Sequence, residues 1–361
     1  MANGLDDVVA ADTVLSDVDG SGGHLTIRGH SLAGLAGRWR YAQVVHLLFD
    51  GFFDDLPSDA ELEKAIGKAR VDVFDRVKPL LTQLAPLDIY SGMRAGMAVL
   101  PDGDGLADAL RLIAAPAVLT PALLRLGRGE TPVAPDEKAD HAGDMLRMLA
   151  GIASPTLAKA LDSYLVTVCD HGLNASTFAT RVVASTQAGL TSAILAGLGA
   201  LKGPLHGGAP GPVIEMLDAI EASGDATAWL RNQIARDERI MGFGHRIYRV
   251  RDPRADALKA VVRQLGSRNE TGSRLALAET VEQAALEVLR IAKPQRSIQT
   301  NVEFYTALLL EAVGFPKEAF SNVFAAGRVA GWIAHAREQQ ATGRLIRPQS
   351  RYVGPVPDLV A

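Results

Sequence analysis

Two glycine-rich segments each carry one histidine, and a third segment carries a carboxylate. His206 lies in Gly-Pro-Leu-His-Gly-Gly, and His245 lies in Gly-Phe-Gly-His-Arg, about forty residues later. Glu303 follows Asn301 by two residues, where a helix is expected to begin. Glycine lets a backbone come close to a ligand. Two histidines and one carboxylate supply the acids and the base needed to enolise a carbon acid and add it to a carbonyl. The combination predicts an enzyme active site.

Each of these residues also has a plainer interpretation. His206 precedes an expected helix start, where the helix dipole favours a neutral imidazole that can donate to an oxygen. A loop histidine satisfied by the backbone fits that position equally well. Glu303 could be an exposed cap of its helix. Metal binding is disfavoured because the three side chains lie on separate segments without His-x-x-x-His spacing. His171, at another expected helix entrance, could add a donor for a substrate carbonyl.

A run of four arginines begins directly after His245: Arg246, Arg249, Arg251 and Arg254. Three explanations compete, namely a nucleic-acid surface, a solvated face, and a site for carboxylates and phosphates. The net charge of −4 and the lack of a second basic cluster argue against nucleic acid. The guanidinium fork matches carboxylate and phosphate geometry. Since the run adjoins a glycine-rich bend, the third explanation is favoured.

Composition limits the class of protein. The chain has 361 residues, 48% of them hydrophobic and 22% charged, which is enough for one large domain or two modest ones. It has one cysteine, Cys169, and its acidic start lacks the features of a signal peptide. We therefore expect a cytoplasmic protein. Residues 182–201 carry no charge, but polar residues and glycines dilute them, so we expect a buried helix rather than a membrane span.

Helical periodicity dominates the chain. Helix starts are expected after Ser58, at Ser154-Pro155 and after Asn174. Amphipathic patterns predict helices over residues 274–291 and 319–340. A long helix of small residues is predicted over residues 175–199, and it is the candidate dimer interface.

Strand signals are confined to the beginning of the chain, where residues 13–18 and 24–28 flank Asp-Gly-Ser-Gly-Gly. The predicted fold is all-α with a small N-terminal β-hairpin. Proline- and glycine-rich seams near residues 204–212 and 314–316 predict a smaller helical domain, 212–316. It interrupts a larger one formed by 1–211 and 317–361, with the site in the cleft between them.

Taken in order, these segments resemble the citrate synthase family through nearly the whole chain. The motifs are Val-Val-Ala-Ala-Asp-Thr from residue 8, Ser-Asp-Val-Asp-Gly from 16, Ile-Arg-Gly from 27, Asp-His-Gly-Leu-Asn-Ala-Ser-Thr from 170, Lys-Gly-Pro-Leu-His-Gly-Gly from 202, Gly-Phe-Gly-His-Arg from 242, Asp-Pro-Arg from 252, Asn-Val-Glu-Phe from 301 and Arg-Pro from 347. The resemblance implies an all-α homodimer whose large and small domains close over the substrates. It also implies condensation of acetyl-CoA, or in some members propionyl-CoA, with oxaloacetate.

The resemblance also implies roles for the reacting groups. By position, His206 would hold the thioester oxygen of the enol, and His245 would protonate the oxaloacetate carbonyl. Glu303 would be the base. The family most often has aspartate there, and the extra methylene moves the carboxylate by about one bond length. A misplacement of about 1 Å can cost ~10²-fold in rate unless something compensates.

The remaining roles concern binding. His171, Arg254 and Arg328 match positions that bind oxaloacetate. Arg249 and Gly244 match positions that meet CoA, and Arg347 resembles the arginine that reaches into the neighbouring subunit's site.

The leading prediction is a condensing enzyme that converts oxaloacetate, acetyl-CoA and water to citrate and CoA. It needs no cofactor beyond the CoA thioester, no metal, and no nucleic-acid or membrane partner. A second hypothesis is 2-methylcitrate synthesis from propionyl-CoA, because one methylene changes the binding energy in a pocket by only about 1–3 kcal/mol. A third is a ligand-binding or regulatory protein with weak catalysis, which Glu303 alone supports.

Overall fold

The computed structural model describes residues 8–207, 210–245, 247–266 and 271–355. Within these ranges the chain forms sixteen α-helices and one small sheet. The helices are α1 (Leu32–Leu35), α2 (Tyr41–Phe49), α3 (Asp59–Val77), α4 (Leu81–Leu84), α5 (Ile89–Met97), α6 (Leu106–Gly127), α7 (His141–Ala150), α8 (Pro155–Val168), α9 (Ala175–Ala184), α10 (Leu190–Leu201), α11 (Gly211–Ser223), α12 (Ala226–Ala235), α13 (Pro253–Gly266), α14 (Thr271–Ala292), α15 (Val302–Ala312) and α16 (Phe320–Thr342). Short 3-10 segments, Lys78–Leu80 and Lys317–Ala319, precede α4 and α16. The predicted all-α class is confirmed, as are the helices predicted over residues 274–291 and 319–340.

The sheet lies near the N-terminus and is antiparallel. Its strands are β1 (Ser16–Asp19), β2 (His24–Ile27) and β3 (His30–Ser31), in that spatial order. The predicted hairpin is confirmed in β1 and β2, although β1 begins three residues later than expected. The third strand was not predicted, because two residues are too few to show a period-2 pattern.

Side-chain caps fix the helix starts that matter for the site. The Asn174 side-chain oxygen accepts the amides of Ser176 and Thr177 at 3.1 Å each, which starts α9 as predicted. The Asn301 side-chain oxygen accepts the Glu303 amide at 3.1 Å and starts α15. Asn301, rather than Glu303, is therefore the cap of that helix.

The long helix predicted over residues 175–199 is wrong, because the segment forms two helices, α9 and α10. Gln187 and Gly189 have left-handed backbones, with φ of 64° and 90°, which no α-helix can contain. The Ser185 hydroxyl donates to the Val182 carbonyl at 2.6 Å at the end of α9. Asp102 accepts the Ser192 amide at 3.1 Å at the start of α10. The candidate interface is thus a pair of packed helices rather than one long helix.

One long helix is notably apolar. Within the described ranges, α6 alone has the length and composition of a membrane span, and 83% of its most apolar window is buried inside the protein. Residues 182–201, the segment considered in the sequence for the same reason, are divided between α9 and α10.

Four helices surround the candidate site. Helix α13 packs against α8 and α15, and α16 packs against α8. His171 follows the end of α8, Arg254 lies in the first turn of α13, Glu303 in the first turn of α15, and Arg328 in the middle of α16. Side chains that are distant in sequence are brought together by this packing.

Candidate active site

The His245 imidazole has a defined hydrogen-bonding pattern. Its Nδ1 lies 3.0 Å from the backbone amides of Ile247 and Tyr248, and both amides donate to it. In the neutral ring the proton is therefore on Nε2. Burial, followed by the charge of Arg254, lowers the pKa of His245 to about 4, so the ring is neutral at pH 7. Arg254 Nη2 lies 3.3 Å from Nε2. Two donors that face each other in this way form a place for an acceptor oxygen.

Two glycines shape the segment that carries His245. Gly242 and Gly244 have φ of 81° and 85°. A Cβ at Gly242 would lie 2.8 Å from a ring carbon of Phe304, so a larger residue cannot fit without movement. The Asn301 side-chain amide donates to the Gly244 carbonyl at 2.8 Å. The same asparagine that caps the Glu303 helix therefore also fastens the His245 segment.

Arg254 is buried and held by Asp252. The Asp252 carboxylate accepts Arg254 Nη2 at 2.8 Å, Nε at 3.1 Å, and the Arg254 backbone amide at 3.0 Å. It also accepts the Val302 amide at 3.2 Å, which ties it to the start of α15. This arrangement fixes the guanidinium beside His245 and makes it a rigid anion-binding group.

His171 lies against the same group of side chains. Its Nε2 is 3.1 Å from the Tyr248 hydroxyl, and its ring meets the His245 ring edge-on at 5.6 Å between centroids. Burial, followed by the charges of Arg254 and Arg328, holds the pKa of His171 well below its ordinary value. The predicted grouping of His171, His245 and Arg254 is therefore observed in space.

His206 lies in the turn after α10, with Ser176 as its partner. Its Nε2 is 2.7 Å from the Ser176 hydroxyl, which donates its one proton to the Asn174 side-chain oxygen at 2.7 Å. Burial, followed by the charges of Arg328 and Arg254, lowers the pKa of His206 to about 4. The His206 ring is therefore neutral at pH 7, as the sequence predicted. The main cause of its lowered pKa is burial beside arginines rather than a helix dipole.

Glu303 is half-buried, and one oxygen of its carboxylate is enclosed by the protein. Its Oε2 atom is shielded from solvent, and no described residue forms a hydrogen bond with it. Burial raises the pKa of Glu303, and the charge of Arg254 offsets part of that rise. Interpreting Glu303 as an exposed helix cap is therefore wrong. A carboxylate with one enclosed, unpartnered oxygen and a raised pKa is suited to accept a proton.

Arg328 has the same buried, partly unsatisfied character. Its Nε donates to the Val168 carbonyl at 2.6 Å, and its guanidinium lies over the Phe324 ring at 4.7 Å. Its Nη2 is buried without a hydrogen-bond partner among the described residues. Burial lowers the pKa of Arg328 to about 10, so it stays charged at pH 7. A buried guanidinium with a free donor is suited to a carboxylate ligand.

Comparison with known proteins identifies the family of this chain. The family described as "Citrate synthase, C-terminal domain" matches residues 4–349 of the chain. The chain belongs to the citrate synthase family. The resemblance stated from the motifs is confirmed.

Relatives and solved structures agree with this assignment. The chain is 39% identical to "Putative citrate synthase 2" of Mycobacterium tuberculosis (strain H37Rv), covering 98% of this chain and 93% of the relative. It is 33% identical to "2-methylcitrate synthase" of M. tuberculosis (strain Erdman), covering 97% and 90%. A citrate synthase of Thermoplasma acidophilum, solved as a ternary complex with carboxymethyl coenzyme A and oxaloacetate, superposes with a TM-score of 0.87. Its sequence identity is 27%, and the match covers 99% of this chain and 97% of that one.

Other residues predicted from the citrate synthase resemblance lie apart from this cluster. The Arg249 side chain is exposed, and Arg347 is exposed on the extended segment after α16. Within the described ranges, neither side chain bonds to the residues of the cluster. Gly244 contributes backbone only, and Arg246 lies outside the described residues. No group of three or more His, Cys, Asp or Glu side chains suited to a metal ion occurs in the described part of the chain.

Sequence reasoning did not assign roles to three residues of this citrate synthase site: Tyr248, Asp252 and Ser176. Asp252 and Tyr248 stand two residues before Arg254 and three after His245, so local spacing was a usable signal for both. Ser176 is thirty residues from His206, and only tertiary packing shows that they meet.

Proposed function

We propose that this chain condenses acetyl-CoA with oxaloacetate to give citrate and CoA. The observation that carries the proposal is the enclosed, unpartnered Oε2 atom of Glu303 in a site with neutral histidines and buried arginines. Relatives named citrate synthase, and a neighbour solved with a CoA analogue and oxaloacetate, support the choice of substrates.

In the proposed mechanism, Glu303 removes a proton from the acetyl methyl group while His206 donates to the thioester oxygen. The donor is Nδ1–H once the Ser176 hydroxyl proton turns from the Asn174 side-chain oxygen to His206 Nε2. The enol carbon attacks the keto carbon of oxaloacetate, and His245 Nε2–H donates to the oxygen that becomes a hydroxyl. Water then cleaves the citryl thioester, which gives citrate and free CoA. Both proton transfers of the condensation step start or end on a residue whose pKa burial has shifted.

Substrate binding completes the proposal. His171, Arg254 and Arg328 hold the oxaloacetate oxygens, since all three are buried and Arg328 Nη2 has a free donor. Arg249 and Gly244 meet CoA. A smaller domain of residues 212–316 would supply His245, Arg254 and Glu303, and the rest of the chain would supply the other groups. Closure between the two would keep water from the enol.

The test is CoA thiol release by the purified protein with oxaloacetate and either acetyl-CoA or propionyl-CoA. We expect release with acetyl-CoA, with a higher kcat/KM than with propionyl-CoA. A preference for propionyl-CoA would replace the proposal with 2-methylcitrate synthesis, the activity for which one relative is named. Tight oxaloacetate binding without release of thiol from either substrate would indicate a binding protein and refute the enzyme.

A homodimer is part of the same proposal. Phe178 and Val182 on α9, and Leu195 and Ala196 on α10, are apolar and only half-buried. A second copy packed on this helix pair would cover them and bring the partner's exposed Arg347 within reach of the site. The single cysteine, Cys169, is buried and reduced, which is consistent with the proposed cytoplasmic location.

We expect light scattering with size exclusion to give the mass of two chains at micromolar concentration. Ala196→Arg should give a folded single chain with impaired activity, because a buried unpaired charge opposes association. Ala222→Arg, on an exposed position of α11, is the matched control and should remain a dimer. A wild-type monomer, or a fully active Ala196→Arg monomer, would contradict the role of Arg347.

A further inference from the structure

The N-terminal hairpin contacts the segment that carries His171. The Ser16 hydroxyl, on β1, donates to the Asp170 carboxylate and accepts the Gly172 amide at 3.0 Å. Gly172 has a φ of 61°, and a Cβ there would lie 3.3 Å from a Val18 methyl group. One serine therefore bonds to the residues on both sides of His171, and β1 lies directly against them.

The turn of the same hairpin contacts the segment that carries His245 and Tyr248. The Gly20 carbonyl accepts the Arg249 amide at 2.8 Å. A Cβ at Gly20 would lie 2.4 Å from the Ile247 carbonyl oxygen, and one at Gly23 would lie 2.7 Å from a Val250 methyl group. Because the obstacle at Gly20 is backbone, this approach is possible only for glycine.

The hairpin is itself anchored to α16. Glu338 accepts the Val14 amide at 2.8 Å and the Thr13 hydroxyl at 3.2 Å. Behind Asp170, His335 lies 3.3 Å from its carboxylate and 2.9 Å from an Arg181 nitrogen. The hairpin is thus bonded to α16 on one side. On the other side it contacts the segments that carry His171 and His245, so it can fix their positions relative to α16.

These contacts surround the point where the two segments meet. His171 and Tyr248 contact each other at 3.1 Å, and the hairpin bonds to the neighbours of both. We infer that the β1–β2 hairpin positions the oxaloacetate site, with Ser16 and Gly20 as positioning residues that set the spacing of His171 and His245. The inference rests on the proposed function, which makes oxaloacetate the ligand of these histidines. On the acyl-CoA side of the site, Gly20 bonds to the Arg249 amide, whereas Ser16 and Gly20 do not contact His206 or Glu303 within the described residues.

The test compares Gly20→Ala with Gly127→Ala. Both add one methyl group, but a Cβ at Gly127 meets nothing within 4 Å. We expect Gly20→Ala to lower kcat/KM for oxaloacetate ~10- to 100-fold, the effect of a misplacement of about 1 Å. The KM for oxaloacetate should rise more than the KM for acetyl-CoA, which is affected as well because Gly20 also bonds to the backbone of Arg249. Gly127→Ala should match the wild type in both. Equal rises in the two KM values would indicate general damage and overturn the inference, as would wild-type kinetics in Gly20→Ala.

Ser16 supplies a second test, with Ser31→Ala as its control. Ser31 caps α1 in the same small sheet, and its hydroxyl accepts the Gly34 amide. We expect Ser16→Ala to raise the KM for oxaloacetate and Ser16→Thr, which keeps the hydroxyl, to restore it. Ser31→Ala should leave that KM unchanged. Failure of threonine to restore what alanine removes would show that the hydroxyl is not what positions His171.

Hydrogen exchange separates this inference from the proposed function. In the unliganded protein, Gly20→Ala should speed amide exchange in residues 170–174 and 247–251 together, and Gly127→Ala should not. If the wild-type protein released no thiol, the proposed function would be refuted. The exchange experiment would still test whether the hairpin positions the two histidine segments, because it needs no activity. Unchanged exchange in both segments, in an active enzyme, would refute the hairpin's role alone.

Discussion

Glu303→Gln is expected to lower the kcat for thiol release about 10³-fold, within the range attributed to general base catalysis. The amide has the size of the carboxylate but cannot accept the methyl proton. No described residue forms a hydrogen bond with Glu303 Oε2, so the substitution breaks no bond there that holds the fold together. Oxaloacetate binding, measured by calorimetry, should be retained because Arg254, Arg328 and His171 are unchanged. Wild-type turnover in Glu303→Gln would show that another group is the base.

Glu303→Asp is the matched control, because it keeps the charge and withdraws the carboxylate by about one bond length. We expect an intermediate loss of up to ~10²-fold, since the surrounding residues are placed for the longer side chain. Activity in the order glutamate, aspartate, glutamine would show that both the charge and its position matter. Equal activity of the aspartate and glutamine variants would remove the carboxylate from the mechanism.

The pH profile gives an independent readout of the same carboxylate. Burial raises the pKa of Glu303, so the ionised base is lost as the pH falls through a value above the ordinary range of glutamate. His206 and His245 have pKa values of about 4 and stay neutral across that window. The acidic limb of kcat/KM should therefore report Glu303. It should be absent from the residual activity of Glu303→Gln.

Much of the fold could be predicted from local sequence. Asn174 was recognisable as a helix cap because capping needs only a polar side chain and the next few amides, and the start of α15 was expected near Glu303, although its cap is Asn301. The break between α9 and α10 could not be predicted in the same way. The apolar run continues through it, and the stop depends on the left-handed Gln187 and Gly189 and on Asp102, which is remote in sequence.

The site residues also differ in whether a local sequence pattern marks them. His245 and Arg254 were found because glycines and arginines mark them in one short stretch. Glu303 was ambiguous, since a glutamate in a first helical turn is exposed in most proteins, and its Oε2 is enclosed here only through the tertiary packing around α15. The contact of Ser176 with His206 and the hairpin's contacts with both histidine segments join distant parts of the chain. No local pattern carries that information.

Arg254→Met is expected to abolish measurable oxaloacetate binding and also to destabilise the protein. The guanidinium is the partner of Asp252, which is 1% exposed. Without it, the carboxylate keeps only the backbone amides of residues 254 and 302. Leaving one member of a buried ion pair without its partner costs about 3–5 kcal/mol. Calorimetry with oxaloacetate and thermal unfolding measure the two effects separately.

The double variant Asp252→Asn/Arg254→Met distinguishes the two roles of the arginine. Removing the Asp252 charge should recover most of the lost unfolding temperature, because the uncompensated buried carboxylate is the main cost. It should recover no oxaloacetate binding, because the guanidinium is still missing. The pKa of His245 should rise in both variants, since the charge of Arg254 contributes to holding it near 4. Arg254→Lys keeps a charge without the bidentate fork, and we expect it to bind oxaloacetate weakly. If the double variant regained binding together with stability, Arg254 would be a structural residue, and the anion site would have to be built from Arg328 and His171.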